Sequence, residues 1–232
     1  MNLLRRHFTY SIIALAIVAT SPFAQENISD AEKRVFMTDH LKGVAAATTL
    51  NYQFTKSGAL ESGLEGKVIL TVKAANSGPG KNCLIEFLSG EQQFRGLPEV
   101  IENATGNPII LAFLERDLSE MKRLTKGQPN YYRKRIRMAL ALAQTADVKS
   151  VTVKVAGKDV AAKEIVLTPY EDDPARPRYE KFSNKSYTIT LSDEIPGGLY
   201  KMHSRMLERA AKNAATAKPM IEETLIFTGS KK

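Results

Sequence analysis

The stretch TLNYQFT, residues 49–55, alternates large apolar and polar side chains without a break. A strand turns successive side chains to opposite faces, so Leu50, Tyr52 and Phe54 share one face while Asn51, Gln53 and Thr55 share the other. Such a strand is dry on one side and wet on the other, which is the habit of antiparallel rather than parallel sheets. The alternation returns, less cleanly, in KVILTVK (67–73) and CLIEFLS (83–89), separated by Gly- and Ser-rich turns at 57–63 and 77–82. Val68, Leu70, Val72, Ile85 and Phe87 thereby join the dry face of a meander.

Outward from that meander the period changes. Upstream, Ser29-Asp30-Ala31-Glu32 has the spacing of a capping box, and Met37, Leu41 and Val44 follow at helical intervals, which predicts a first helix over about 29–43. Downstream, Asn107-Pro108 sets a capping side chain and a proline where a helix begins. Ile110, Leu114, Leu118 and Met121 form its buried stripe, and Gly127 is placed to close it in a left-handed turn. Asn130 is expected to cap a second helix, NYYRKRIRMALALAQ (130–144). From Val151 the period is two again: VTVKV, a Gly157-Lys158-Asp159 turn, KEIVLT, a polar loop over 170–185, SYTITLS with Ile189 and Leu191 inward, a Pro196-Gly197-Gly198 turn and LYKMHSRM. An alanine-rich helical piece over roughly 207–217 and a strand, EETLIFTG, follow. The expected fold is α+β, one curved antiparallel sheet of about seven to nine strands packed over a helix pair.

The 232 residues, 43% hydrophobic and 25% charged, suffice for one sizeable core and fall short of two full domains. Residues 1–24 stand apart. Arg5 and Arg6 precede the apolar run Ser11–Ala19, and small residues and SPFAQ follow, the layout of a secretory signal too short to span a bilayer comfortably. Cleavage is expected after Ala24, leaving residues 25–232 as a single periplasmic domain without a transmembrane segment; RRHF also partly matches a twin-arginine export signal. With the two presequence arginines gone, the 33 basic residues become 31 against 25 acidic ones, a net charge of +6. In an exported protein that excess points to anionic lipid, surface polymers or other envelope components, and not to nucleic acid. Cys83 is the only cysteine, so no internal disulfide can form.

Chemical candidates are few. Asp117 falls within the apolar stripe Ile110, Leu114, Leu118 and Met121, where an unpaired charge is too costly, so it is expected to pair with Arg135 or Arg133 across the Gly127 turn or, alternatively, to act as an acid or base. In the second helix Tyr132, Ile136 and Leu140 face one way and Arg133, Lys134 and Arg137 the other. These cations stand where the helix dipole is positive, which disfavours each by about 0.3–1 kcal/mol unless something anionic answers them. Glu115, Asp117 and Glu120 or an external anion are the candidates. NSGPGKN (76–82) lacks a glycine at Ala75 and a hydroxyl at Asn82 for a phosphate loop and reads as a hairpin turn. His40 and His203 have no metal-ligand spacing, Cys83 reads as a core residue, and YEDDPARPR (170–178) carries Arg176 and Arg178 that neutralise its own acids. No pattern calls for a cofactor or a metal.

The order of elements after a signal peptide resembles the periplasmic lipoprotein-carrier family over about residues 30–206. That resemblance implies a half-open barrel holding acyl chains under a helical lid; the absence of tryptophan departs from the family's aromatic lining. FLERDLSEMKRLTKG (113–127) with NYYRKRIR (130–137) also resembles a family of secreted bacterial proteins to which no activity attaches. Three classes of function follow: a carrier or binding protein for an apolar or amphiphilic ligand, a non-catalytic envelope interaction module, and an enzyme built on Asp117. For the first, Tyr52, Phe54, Leu70 and Phe87 are expected to line the apolar space and Arg133, Lys134 and Arg137 to hold an anionic group beside it.

Overall fold

The computed structural model describes residues 28–208 and 217–232; the expected presequence and nearly all of the expected alanine-rich helix lie outside them. Nine strands form one open, curved sheet: β1 (Thr48–Ser57), β2 (Leu64–Ala74), β3 (Lys81–Phe87), β4 (Val100–Ala104), β5 (Val148–Val155), β6 (Lys158–Leu167), β7 (Lys185–Leu191), β8 (Leu199–Leu207) and β9 (Pro219–Lys231). Their order is β4-β3-β2-β1-β9-β8-β7-β6-β5, and every neighbouring pair is antiparallel. The α+β architecture anticipated from the alternating stretches is the observed one.

Among the described residues three α-helices accompany the sheet. α1 (Asp30–Glu32) runs on as a π-helical stretch, Lys33–Met37; α2 (Pro108–Thr125) lies across β3 and β8, and α3 (Pro129–Leu142) packs on α2 and β6. The dry face of the meander is the one they cover. Leu50, Tyr52, Phe54, Val68, Leu70, Val72 and Phe87 are all buried there. Phe54 meets Phe87 and Phe113 edge-on, with ring centroids 5.5 and 6.5 Å apart, and Tyr52 meets Phe227 at 5.6 Å. Large rings in T-shaped contact fill the space between sheet and α2, each ring contributing roughly 1.5–3 kcal/mol of burial. Among the described residues no helix is long and apolar enough to cross a membrane.

Three local expectations are corrected. The first helix stops at Met37, six residues early, because Thr38 turns extended and side chains satisfy the terminal carbonyls: Thr38 Oγ1 donates to Lys33 O at 3.1 Å and His40 Nε2 to Arg34 O at 2.8 Å. The left-handed residue that ends α2 is Lys126, φ 60°, not Gly127; Gly127 is needed instead for room, since a Cβ there would strike the Tyr132 ring. α3 starts two residues early, with Gln128 at the cap and Pro129 in the first turn, and Asn130 bonds Arg133 within the helix.

Candidate ligand groove on α3

Helix α3 is two-sided for the reason its sequence suggests. Tyr132, Ile136 and Leu140 point to the core, and the opposite face presents Asn130, Arg133, Lys134, Arg137, Met138, Ala141 and Leu142 at intervals of three and four. That face is graded along its axis. Its first half is cationic and its second half apolar, over the nine steps from Arg133 to Leu142, or about 14 Å at the helical rise. Helix α1 forms the second wall. Ser29 caps α1 by accepting from the Glu32 amide at 3.0 Å, and its own hydroxyl donates to the Leu140 carbonyl at 2.6 Å, bringing Ile28 and Glu32 alongside α3. Between the two walls lies a groove of about 740 Å³.

The cations of α3 are answered unequally. Arg133 makes a two-pronged contact with Glu115, Nε to Oε1 at 2.7 Å and Nη2 to Oε2 at 2.6 Å, and the hydrogen bond from the guanidinium to this carboxylate raises its pKa further. Arg135 turns away, donating to the Pro169 carbonyl at 3.0 Å and standing 3.4 Å from Asp173. Asp173 also accepts from the hydroxyls of Tyr131 and Tyr179; burial alone would raise its pKa, but those bonds and Arg135 outweigh burial and lower it. Lys134 and Arg137 have no partner among the described residues, and both are exposed. Of these four cations two are neutralised internally and two have no partner among the described residues.

The expected Asp117–Arg135 pair does not form. Asp117 is fully buried, and its partner is Lys185, itself 2% exposed, on β7; Tyr187 donates to Oδ2 at 2.6 Å and Ser204 to Oδ1 at 3.4 Å. The reason is direction: Asp117 sits on the side of α2 that faces the sheet, whereas Arg135 faces the 168–184 loop. Asp117 belongs to a larger belt. Strand register sets Lys56, Glu223, Ser204 and Tyr187 side by side across β1, β9, β8 and β7, all pointing inward beneath α2. Arg116 of α2 reaches down to Glu223 at 2.5 Å while its guanidinium lies 4.4 Å over the Phe54 ring, and Lys56 stands 3.1 Å from Glu61 and 3.3 Å from Glu120. Burial raises the pKa of Glu223 against the pull of Arg116; burial, then the charge of Asp117, raises Tyr187 far above the usual phenol value.

The predicted lining and the predicted cations do not share a site. Tyr52, Phe54 and Leu70 are packed into the core, Phe87 borders a separate cleft of about 420 Å³ with Phe94, Leu97 and Arg95, and Arg133, Lys134 and Arg137 line the α3 groove. Neither histidine joins Asp117. His40 is wedged between the Arg34 carbonyl and the Asn107 amide, against Gly198, where a Cβ would come within 2.7 Å of the ring; His203 faces Glu222 at 2.8 Å. Cys83 is buried, and burial pushes its thiol up to about 11. NSGPGKN is a hairpin turn, held by the Gly80 amide donating to Asn103 at 2.8 Å.

No protein family and no curated protein matches this sequence. Solved structures with a distant similarity include two that span most of the chain. The crystal structure of the Mycobacterium tuberculosis lipoprotein LppX aligns at 9% identity with a TM-score of 0.29, covering 82% of this chain and 88% of that one. A LolA superfamily protein from Nitrosomonas europaea aligns at 8% identity with a TM-score of 0.23, covering 87% of this chain and 92% of that one.

Proposed function

We propose that the protein is exported to the periplasm and there binds a single-chain anionic amphiphile in the α3 groove, as a carrier or binding protein. The observation that carries this reading is the axial grading of the α3 face. Lys134 and Arg137, without a partner among the described residues, suit an anionic head group, and Met138, Ala141, Leu142 and Ile28 suit the chain that trails from it. The ligand site is the outer groove because the concave side of the sheet is occupied by the protein's own rings. Asp117 is a structural partner in this reading, closed in by Lys185, Tyr187 and Ser204.

The test is displacement of a fluorescent fatty acid, with native mass spectrometry of the protein from its source as a check for bound amphiphile. Lys134→Gln combined with Arg137→Gln is expected to weaken binding tenfold or more, about 1.4 kcal/mol or greater, without altering the melting temperature. An uncharged monoacylglycerol of equal chain length should bind both proteins equally. Unchanged fatty-acid affinity in the double variant overturns the reading.

A further inference from the structure

We infer that the ridge of α3 formed by Met138 and Leu142 is the contact through which two copies of this chain pair about a two-fold axis. The ridge stands between two clefts. On one side is the groove already described, with Lys134 and Arg137; on the other lies a cleft of about 450 Å³ whose lining includes Asp147, Val166 and Asp172, and Met138 and Leu142 line both. Exposed apolar side chains scattered singly are ordinary. Here four of the nine large apolar side chains exposed among the described residues, Ile28, Met138, Leu142 and Val166, fall on the ridge and its two flanks. Leu142, at 69%, is the most exposed of all nine.

The charge flanking the ridge is of opposite sign on its two sides. Lys134 and Arg137 are exposed with no partner among the described residues. Asp147 and Asp172 are exposed as well, and Asp147 accepts only from the Gln144 amide, at 2.8 Å. Neither carboxylate has a cation partner among the described residues, because Arg135, which borders their cleft, is engaged by the Pro169 carbonyl and Asp173. A surface of one sign needs a partner of the other. A surface with both signs, one on either side of an apolar ridge, is complementary to itself. A two-fold axis lying in the face and crossing the ridge sets the cations of each copy against the carboxylates of the other, twice over, and brings the two ridges together. The two clefts together are lined by fewer residues than the roughly 20–30 a side of a standard interface, so the dimer is a weak one, with a dissociation constant on the order of 100 µM. Lys134 and Arg137 serve both occupants. An anionic head group seated on them takes them from the contact, so loading with an amphiphile separates the copies; this last step rests on the amphiphile reading of the groove, whereas the pairing itself does not.

Sedimentation velocity of the exported form over a hundredfold range of concentration tests this. The parent should pass from monomer to dimer within the range, and added salt should weaken the pairing, since exposed charges are screened. Lys134→Glu with Arg137→Glu puts carboxylates on both flanks of the ridge, and Asp147→Lys with Asp172→Lys puts cations on both. Each of these variants alone should dimerise at least tenfold more weakly than the parent, about 1.4 kcal/mol or more. Mixed one to one, they should pair with each other to within about threefold of the parent's affinity, because every flank again meets its opposite. No loss of folding can imitate that rescue. A parent that stays monomeric, reversed variants that dimerise as the parent does, or a mixture that restores nothing overturns the inference. A saturating fluorescent fatty acid should return the parent to monomer. Asp147→Asn with Asp172→Asn, outside the groove, should weaken the dimer several-fold and leave the fatty-acid affinity of the monomer unchanged. Fatty-acid binding by a protein that is monomeric throughout overturns the dimer and spares the groove; a dimer that takes up no fatty acid overturns the groove and spares the pairing. A dimer that persists with fatty acid bound overturns the competition between them.

Discussion

Replacing Asp117 by asparagine isolates the buried belt with the smallest change of shape. Asparagine keeps an acceptor for the Tyr187 hydroxyl and loses only the charge, so Lys185, whose side chain is 1% exposed, loses its bonded counter-ion and keeps only the longer-range pull of Glu223. Breaking one side of a buried pair costs about 3–5 kcal/mol. In a domain of this size each kcal/mol moves the melting temperature by about 2–4 °C, so a fall of roughly 6–20 °C is expected. Removing both charges, by Asp117→Leu with Lys185→Met, should be much milder, since apolar replacements of a buried pair are about neutral and the chief residual cost is the Tyr187 hydroxyl, about 1–3 kcal/mol without its acceptor. The double variant is thus more stable than either single one predicts, with a coupling energy of several kcal/mol. Calorimetry and urea unfolding of the parent, Asp117→Leu, Lys185→Met and the double variant measure it. If Asp117→Asn melts within 2 °C of the parent, or the coupling falls below about 0.5 kcal/mol, the reasoning about Asp117 and Lys185 is wrong.

Two further outcomes follow from side chains trapped by the same packing. The Asn107 amide can only donate and the Arg34 carbonyl can only accept, which holds His40 neutral with its proton on Nε2, and burial lowers its pKa. The unfolded chain therefore takes up this proton more readily: the His40 contribution is complete above a pH of about 6.5 and is lost as pH falls through the lower folded-state value. Urea unfolding at pH 7.5 and 5 should show the parent losing more stability than His40→Asn; equal losses would refute this. Cys83, with its thiol pushed up to about 11 by burial, should resist Ellman's reagent at pH 8 in the native protein and react at once in denaturant. Rapid native labelling would show that β3 is not packed as described.

Period-two alternation carried further into the site than the eye first allows. Lys56 follows Leu50, Tyr52 and Phe54 on the inward side of β1; Glu223 stands between Ile221 and Leu225 on β9; Lys185 precedes Tyr187, Ile189 and Leu191 on β7. Each is a charge at an inward position, legible from spacing alone. Their partners are not legible, because pairing depends on strand register and on where α2 crosses the sheet. Asp117 meets a lysine 68 residues away in preference to arginines one helix on. The groove divides in the same way. The split of α3 into Tyr132, Ile136 and Leu140 against Lys134 and Arg137 is local and readable, whereas the second wall depends on Ser29 reaching Leu140 across 111 residues. The early end of the first helix had a local cause too, but one of side-chain capping by Thr38 and His40 rather than of apolar period.

The position of β9 has a consequence for assembly. β1 to β4 form one meander and β5 to β8 another, each built from near neighbours in sequence, and β9 alone lies between them, pairing with β1 on one side and β8 on the other. A chain that emerges N-terminus first can form either half early, but the seam between them waits for the strand that comes after all the others. Until then β1 and β8 are bare edges, and Glu223, which bonds Arg116 and stands 3.9 Å from Lys56, has not arrived. The cations would meanwhile hold α2 over an unfinished sheet with one counter-charge short. Closing contacts of such long sequence separation make folding slow, and they make it conditional on the whole chain being present.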